Sequence, residues 1–205
     1  MKKLLSVMIV SAFILTAAGC DFNVSVGGDK SETTPTTTST TDTAKDTTST
    51  FANLFNTPKF GYEINYPADW QKQEDVNAYT VMFSNGKASI AIQNLASKAM
   101  GGNYASVDDV IKEFKAQLNQ AKDAKITDEK PLSYTMQDGT ELAGQQFVVE
   151  YTIEADNATY KQWQIVIPRA DGQVFHAISY TSLLENYDTY LPLAQQIIAT
   201  LKVLK

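Results

Sequence analysis

The chain has 205 residues, of which 17 are basic and 23 acidic, and a formal charge of −6 at pH 7. A single arginine in an acidic chain argues against nucleic acid as a partner, because phosphate contacts need clustered lysines and arginines. A single cysteine excludes an internal disulfide framework and a cysteine-based metal site.

The first twenty residues have the layout of a secretory signal. Two lysines precede an apolar segment at 4–15, which is too short to span a hydrocarbon core. Small residues then lead to Cys20. This arrangement resembles a bacterial lipobox, in which the cysteine is diacylglycerated and the chain is cut before it, although Ala17 stands where such proteins favour leucine. We predict a signal peptide at 1–19; an ordinary secretory signal and an uncleaved anchor are the alternatives.

Residues 20–50 are predicted to be the lipidated cysteine and a disordered tether. The segment 31–50 holds eleven threonines, three serines and no large apolar side chain, so it has nothing to bury against the entropy of ordering. An O-glycosylated stalk is the alternative. Without residues 1–19 the chain carries a charge of −8, so lipid on Cys20 rather than charge must attach it to a membrane. The predicted location is the extracytoplasmic side of the cell membrane.

A single folded domain is predicted over 51–205. In its first half, alternating apolar residues predict strands at 60–66, 79–83 and 87–95. A turn at Pro67–Trp70 and a hairpin at Asn85-Gly86 separate them. Ser106 is a good N-cap for a helix whose apolar stripe consists of Val107, Val110, Ile111, Phe114 and Leu118.

The second half predicts four more strands and a closing helix. After a polar connector, strands are expected at 132–136, 141–154, 161–167 and 174–181; the last is apolar on both faces and should therefore be central. Helical spacing from Tyr187 to Leu201 requires Pro192 to lie in the first turn or at a kink. These elements predict an α+β fold in which one mainly antiparallel sheet carries helices on its faces.

This order of elements, β-β-β-α-β-β-β-β-α, opens with the segment GYEINYPADW at 61–70. It resembles the PsbP/Mog1-like family, whose members often begin with an aromatic strand ending in a Tyr-Pro-x-x-Trp corner. They often end with a tyrosine-containing helix and a short strand, as 187–200 and 201–203 do here. The resemblance covers about 58–204. It implies an α/β/α sandwich and non-catalytic work as an extrinsic subunit, assembly factor or adaptor.

No catalytic motif is present in the sequence. It has no His-Glu-x-x-His, no phosphate-binding Gly-rich loop and no Gly-x-Ser-x-Gly. The only histidine, His176, falls within a predicted strand and is interpreted as a hydrogen-bonded core residue; a hydrolase built around it is the weakest alternative. We predict that the protein is not an enzyme and has no cofactor.

The remaining candidates concern binding. Trp70, Tyr104 and Tyr160 lie near turns or loops and are expected to be exposed, where an apolar body with a polar tip suits an interface. Adjacent carboxylates occur at 74–75, 108–109 and 128–129, and their oxygens could suit calcium, although such pairs are usually just solvated. The sequence therefore predicts a non-catalytic binding, assembly or accessory module for an envelope partner. A small-ligand or calcium-binding lipoprotein is the alternative.

Overall fold

The computed structural model describes residues 51–204, which form ten strands and two α-helices. The signal peptide, Cys20 and the threonine-rich tether lie outside the described residues. No helix among residues 51–204 is long and apolar enough to cross a membrane. The strands are β1 Asn53–Thr57, β2 Tyr62–Tyr66, β3 Gln71–Asp75, β4 Thr80–Ser84, β5 Ala88–Ala96, β6 Lys122–Thr135, β7 Glu141–Ile153, β8 Ala158–Pro168, β9 Val174–Leu183 and β10 Lys202–Val203. The helices are α1 Val107–Leu118 and α2 Leu184–Ala199, and short 3₁₀ turns occupy Pro58–Phe60 and Lys98–Met100.

Seven strands form one antiparallel sheet in the order β3-β4-β5-β9-β8-β7-β6. The middle position belongs to β9, as its two apolar faces predict. Ile178 and Tyr180 pack into one core layer, whereas Phe175 and Ala177 pack into the other. A strand covered on both sides can bury every side chain, and β9 is buried along most of its length.

Two layers cover this sheet. On one face α1 packs on β7 and β8. On the other face lie α2 and a second sheet of three strands, β1-β2-β10, which contributes Phe55, Tyr62 and Ile64 to the core. The predicted α+β sandwich, with a mainly antiparallel sheet between helices, is confirmed, and the small sheet is an addition to it.

Helix α1 begins where the sequence predicts. The Ser106 hydroxyl accepts a hydrogen bond from the amide of Asp109 at 3.2 Å, and the Asp109 carboxylate accepts one from the amide of Ala105 at 2.8 Å. Two amides that have no partner within the helix are thereby satisfied. The stripe of Val110, Ile111, Phe114 and Leu118 is buried.

The hairpin at Asn85-Gly86 is also confirmed, and its chemistry is specific. Only Gly86 takes a positive φ, of 82°. Asn85 acts through its side chain, whose Oδ1 accepts hydrogen bonds from the amides of Lys87 and Ala88, each at 3.0 Å. The asparagine therefore closes the turn by mimicking backbone.

Several predicted boundaries are wrong. The supposed polar connector before residue 132 is the first half of β6, which begins at Lys122. The sequence pattern does not predict strands β1 and β3, and the strand predicted at 60–66 begins only at Tyr62, because Phe60 belongs to a 3₁₀ turn. Both β3 and β6 are edge strands with mostly exposed side chains, so no apolar alternation marks them.

Pro192 lies inside α2 and not in its first turn, because the helix begins at Leu184, three residues before Tyr187. Proline has no amide to donate to the carbonyl of Asp188. Asp188 is exposed, so solvent can hydrogen-bond the carbonyl that the proline leaves free.

Candidate functional site

Four segments meet at one end of the seven-stranded sheet: 58–61, 75–79, 97–104 and 169–173. We call this region the loop end. Hydrogen bonds connect the segments, including those from the amide of Ser97 to the carbonyl of Gln173 at 2.9 Å and from Lys59 Nζ to the carbonyl of Val76 at 3.5 Å. Loops held on a rigid sheet are the usual position of binding residues.

Apolar side chains are exposed at the loop end. Val76 is 47% exposed, Tyr79 45% and Met100 57%. They are three of the five large apolar residues that are exposed among residues 51–204. The other two lie elsewhere, with Leu54 early in β1 and Leu184 at the start of α2. The loop end therefore concentrates exposed apolar surface in the described domain.

Tyr79 is held in an uncommon conformation. Its φ is +52°, a left-handed value that bulky residues rarely adopt. Its ring packs edge-on against Phe60 at 6.4 Å between centroids, and Lys59 Nζ lies 5.0 Å from the ring centre. Such strain persists only where the surroundings enforce it. The sequence pattern wrongly placed Tyr79 in a strand, in alternation with Val81 and Phe83; β4 begins one residue later, and Tyr79 remains in the loop.

Asn94 on β5 fixes two of these segments. Its backbone amide donates to the carbonyl of Tyr79 at 3.0 Å, and its side-chain Nδ2 donates to the carbonyl of Phe60 at 2.7 Å. Its Oδ1 lies 2.8 Å from Nδ1 of His176. Because Nδ2 is committed to a carbonyl, Oδ1 must be the acceptor, so His176 carries its proton on Nδ1.

His176 is a fully buried core residue, as its position in a strand predicts. Burial and, to a smaller extent, the charge of Arg169 lower its pKa to about 4, although Asp171 acts in the opposite direction. The imidazole is therefore neutral at pH 7. Among residues 51–204 neither its buried Nε2 nor the buried hydroxyl of Tyr62 has a hydrogen-bond partner, and the Tyr62 ring lies 5.5 Å from the imidazole.

The surroundings of His176 give no support to a hydrolase. Its Nδ1 partner is an amide oxygen and not a carboxylate. Ser179 belongs to the opposite face of β9, and the Ser182 hydroxyl donates to the carbonyl of Lys87 at 2.8 Å. A histidine base needs a nucleophile within hydrogen-bond reach, and neither serine meets that condition.

Arg169 closes the loop end over His176. Its guanidinium pairs with Asp171, with Nη2 to Oδ2 at 2.6 Å, and this hydrogen-bonded contact lowers the pKa of the aspartate. Gly61 allows the close approach: its φ is +72°, and a Cβ there would lie 3.3 Å from Nη1 of Arg169. Glycine meets both conditions at this position.

The three aromatic residues predicted to bind do not form one site. The exposure expected for Trp70 and Tyr160 is wrong, since both are buried. Trp70 belongs to the core layer beneath the small sheet, whereas Tyr160 and Tyr104 belong to the layer beneath α1. Tyr160 stacks on Tyr151 and donates to Asp156 at 2.7 Å; burial and this bond raise its pKa to about 12. Only Tyr104, half-buried at the loop end, keeps an exposed surface, and a binding role for any of them remains a prediction.

The acidic pairs lie on separate elements and are engaged locally. Glu74 pairs with Lys72, Asp75 accepts from the amides of Asn77 and Ala78, and Asp109 caps α1. The other three carboxylates each contact one side chain, in the pairs Asp108–Gln145, Asp128–Lys130 and Glu129–Lys115. Within residues 51–204 no three His, Cys, Asp or Glu side chains come together as metal ligands. The described residues therefore provide no candidate site for the calcium-binding alternative.

Neither a family model nor a curated protein matches this chain. Solved structures do. CyanoP, the cyanobacterial PsbP of Synechocystis, matches with a TM-score of 0.52 and 16% identity, over 74% of this chain and 91% of its own. The Ran-binding protein Mog1p of Saccharomyces cerevisiae matches with a TM-score of 0.48 and 12% identity, over 75% of this chain and 95% of its own. LpqN of Mycobacterium tuberculosis, described as involved in cell envelope biogenesis, matches with a TM-score of 0.46 and 15% identity, over 70% and 83% respectively.

The fold is therefore PsbP/Mog1-like. This confirms the resemblance that the corner motif at 61–70 and the order of elements indicate. Fold alone does not assign a function, so the function has to be argued from the loop end.

Proposed function

We propose that this protein is a lipid-anchored extracytoplasmic lipoprotein that acts as a non-catalytic binding, assembly or accessory module for an envelope protein. The partner contacts the loop end. The observation that carries this proposal is the concentration of exposed Val76, Tyr79 and Met100 on loops of a rigid sheet. Exposed apolar side chains rimmed by polar residues are typical of protein interaction sites.

The construction of the loop end favours a preformed binding surface. Asn94 fastens both the Tyr79 loop and the 58–60 turn to β5, and Tyr79 is held in a strained conformation. A surface that is ordered before binding loses less conformational entropy when a partner docks. Tyrosine is also among the residues that contribute most to binding energy at interfaces.

The position of the loop end fits an anchored protein. The chain leads into β1 at Asn53, and β1 runs from there to Thr57 and the 58–60 turn. The loop end therefore lies at the far end of β1 from the predicted tether. Lipid on Cys20 would hold the domain at the membrane and leave this surface free to meet a partner.

Photo-cross-linking of the full-length protein in intact cells tests this proposal. A photoreactive phenylalanine analogue replaces Tyr79 in one variant and Leu184 in a matched control. Leu184 is similarly exposed but starts α2, away from the loop end. We expect one dominant membrane-protein adduct from position 79 and none from position 184. The adduct should fall sharply when Cys20→Ala removes the lipid.

Two outcomes contradict the proposal. Adducts of equal yield and identity from positions 79 and 184 would show that the loop end has no preference for a partner. A complete absence of adducts from position 79, with normal amounts of anchored protein, would show that no protein partner contacts the loop end.

A further inference from the structure

The two sheets have four edge strands among the described residues: β3 and β6 in the large sheet, β1 and β10 in the small one. An edge strand presents unpaired amides and carbonyls that can pair with another chain, and proteins usually block such edges with charge, proline, bulges or short length. Three of the four edges are blocked in this way.

The large sheet is blocked at both edges. Strand β3 reads QKQED, is exposed along its whole length and carries the Lys72–Glu74 ion pair. Strand β6 contains six charged residues and Pro131, and its pairing with β7 is interrupted by two register shifts. In the small sheet, β10 is only two residues long.

Strand β1 has none of these protections. Its sequence, NLFNT, has no charge and no proline, and its register with β2 is continuous from Asn53–Tyr66 to Thr57–Tyr62. Leu54 is 57% exposed on its outer face. Within residues 51–204, β1 pairs with β2 alone. Among the described residues this edge is therefore uncharged and regular, carries one exposed apolar side chain, and is free to accept a strand.

We propose that β1 pairs in antiparallel register with β1 of a second copy of this chain. Pairing about a two-fold axis at Phe55 places Leu54 opposite Asn56 of the other copy, and Asn53 opposite Thr57. The two small sheets then become one sheet of six strands. This surface is separate from the loop end and does not rest on the proposed function.

A second copy is the occupant that the charge and the chain direction favour. The protein is acidic, with a formal charge of −6, so most contacts between copies are repulsive, whereas the β1 edge brings no charges together. The chain enters β1 from residues 20–50, and the two strand starts lie only about 14 Å apart in the pair. Both predicted tethers can therefore reach one membrane, where anchoring raises the effective concentration of copies.

Disulfide trapping in membranes tests the register directly. Lipidation consumes the thiol of Cys20, so an introduced cysteine is the only free thiol in the mature chain. Two differently tagged full-length copies, Leu54→Cys and Asn56→Cys, are expressed together and oxidised mildly. Directly opposed residues have Cβ atoms about 4.5–5.5 Å apart, close to disulfide geometry. We expect a mixed disulfide several-fold more abundant than in the control pair Val76→Cys with Asn56→Cys.

A second variant separates pairing from folding. Leu54→Lys places a charge on the edge, as β3 and β6 already do, and Leu54 is exposed, so the thermal midpoint should change little. In this background the trap uses Asn53→Cys with Thr57→Cys, and we expect its mixed disulfide to be lost. The proposal is overturned if the opposed pairs do not exceed the control, or if cysteines in β1 join a different protein instead.

Discussion

His176 is the side chain whose chemistry the fold changes most. Its Nδ1 proton is committed to Asn94, its Nε2 has no partner in the described domain, and burial holds its pKa near 4. An ordinary histidine in the unfolded chain titrates near 6.5. The folded state therefore resists taking up a proton that the unfolded state accepts, and this difference makes stability depend on pH.

We expect the free energy of unfolding to rise with pH between about 4 and 6.5 because of His176. In this window the unfolded chain binds more protons than the folded one, so acidification favours unfolding. The contribution is complete above pH 6.5 and is lost as the pH falls towards 4, by about 3 kcal/mol at 1.36 kcal/mol per pKa unit. Urea unfolding from pH 4 to 7 measures it.

His176→Gln is the control for this effect, because it removes the titrating group and retains an amide that can bond Asn94. Carboxylates still titrate in both proteins, so the difference between the two pH profiles isolates the histidine. Parallel profiles between pH 4 and 6.5 would show that His176 is not buried in its neutral form.

Gly61 is a second residue with a specific requirement. Gly61→Ala forces a Cβ into left-handed backbone and against Nη1 of Arg169, so we expect a loss of about 2 kcal/mol in the free energy of unfolding. Gly139→Ala is the matched control: its φ is +85°, but no atom of residues 51–204 beyond its chain neighbours lies within 4 Å of the added Cβ. Chemical denaturation of both variants should show a larger loss at Gly61, and an equal loss would mean that Arg169 moves aside without cost.

At the scale of elements, the sequence predicts the helices and strands in which buried apolar residues recur at regular spacing. Helix α1 has a cap and a one-sided apolar stripe, and β9 has two apolar faces, so both were located correctly. Strands β3 and the first half of β6 are solvated edges, and their polar residues carry no alternation. Pairing with a neighbouring strand, which is a long-range contact, decides their conformation.

The same difference between local pattern and long-range contact explains why the sequence does not identify the residues of the loop end. Trp70 and Tyr160 follow turns in the sequence, and nearness to a turn does not determine exposure once two layers cover the sheet. Tyr79 fits a strand alternation, and only the start of β4 at Thr80 leaves it in the loop. The Asn94–His176 contact joins residues 82 positions apart, so no local pattern could reveal it.

The N-cap of α1 gives a prediction for an element. Ser106→Ala removes the acceptor for the amide of Asp109, and we expect a loss of about 1 kcal/mol in stability. Ser133→Ala on β6 is a control at an exposed serine. Thermal unfolding should show a lower midpoint for the Ser106 variant alone; equal midpoints would mean that the Asp109 carboxylate suffices as a cap.

At the scale of the whole molecule, the two sheets are joined through Tyr134. Its hydroxyl donates to the carbonyl of Leu201 at 2.7 Å and accepts from the amide of Val203 at 3.3 Å. A residue of the large sheet's outer strand therefore holds the segment that ends in β10. This contact links β10 of the small sheet to the large sheet, which is the middle layer of the sandwich.

Tyr134→Phe removes both hydrogen bonds and keeps the ring. We expect a loss of about 1–3 kcal/mol, because the backbone groups at Leu201 and Val203 lose a partner in a half-buried position. The substitution should speed hydrogen exchange at the Val203 amide, relative to the unchanged protein, more than it does at amides in β9. Unchanged exchange at Val203 would show that β2 alone holds β10.

The direction of β1 has a mechanical consequence. If lipid pulls on the chain before Asn53 while a partner grips the loop end, the load runs along β1 towards Thr57. The hydrogen bonds between β1 and β2 lie across that direction, so the strands would slide past each other in shear and the bonds along five paired residues would share the force. Unzipping, which breaks bonds one after another, would need a pull at right angles. An anchor attached before Asn53 would therefore load the domain in the orientation that resists tension best.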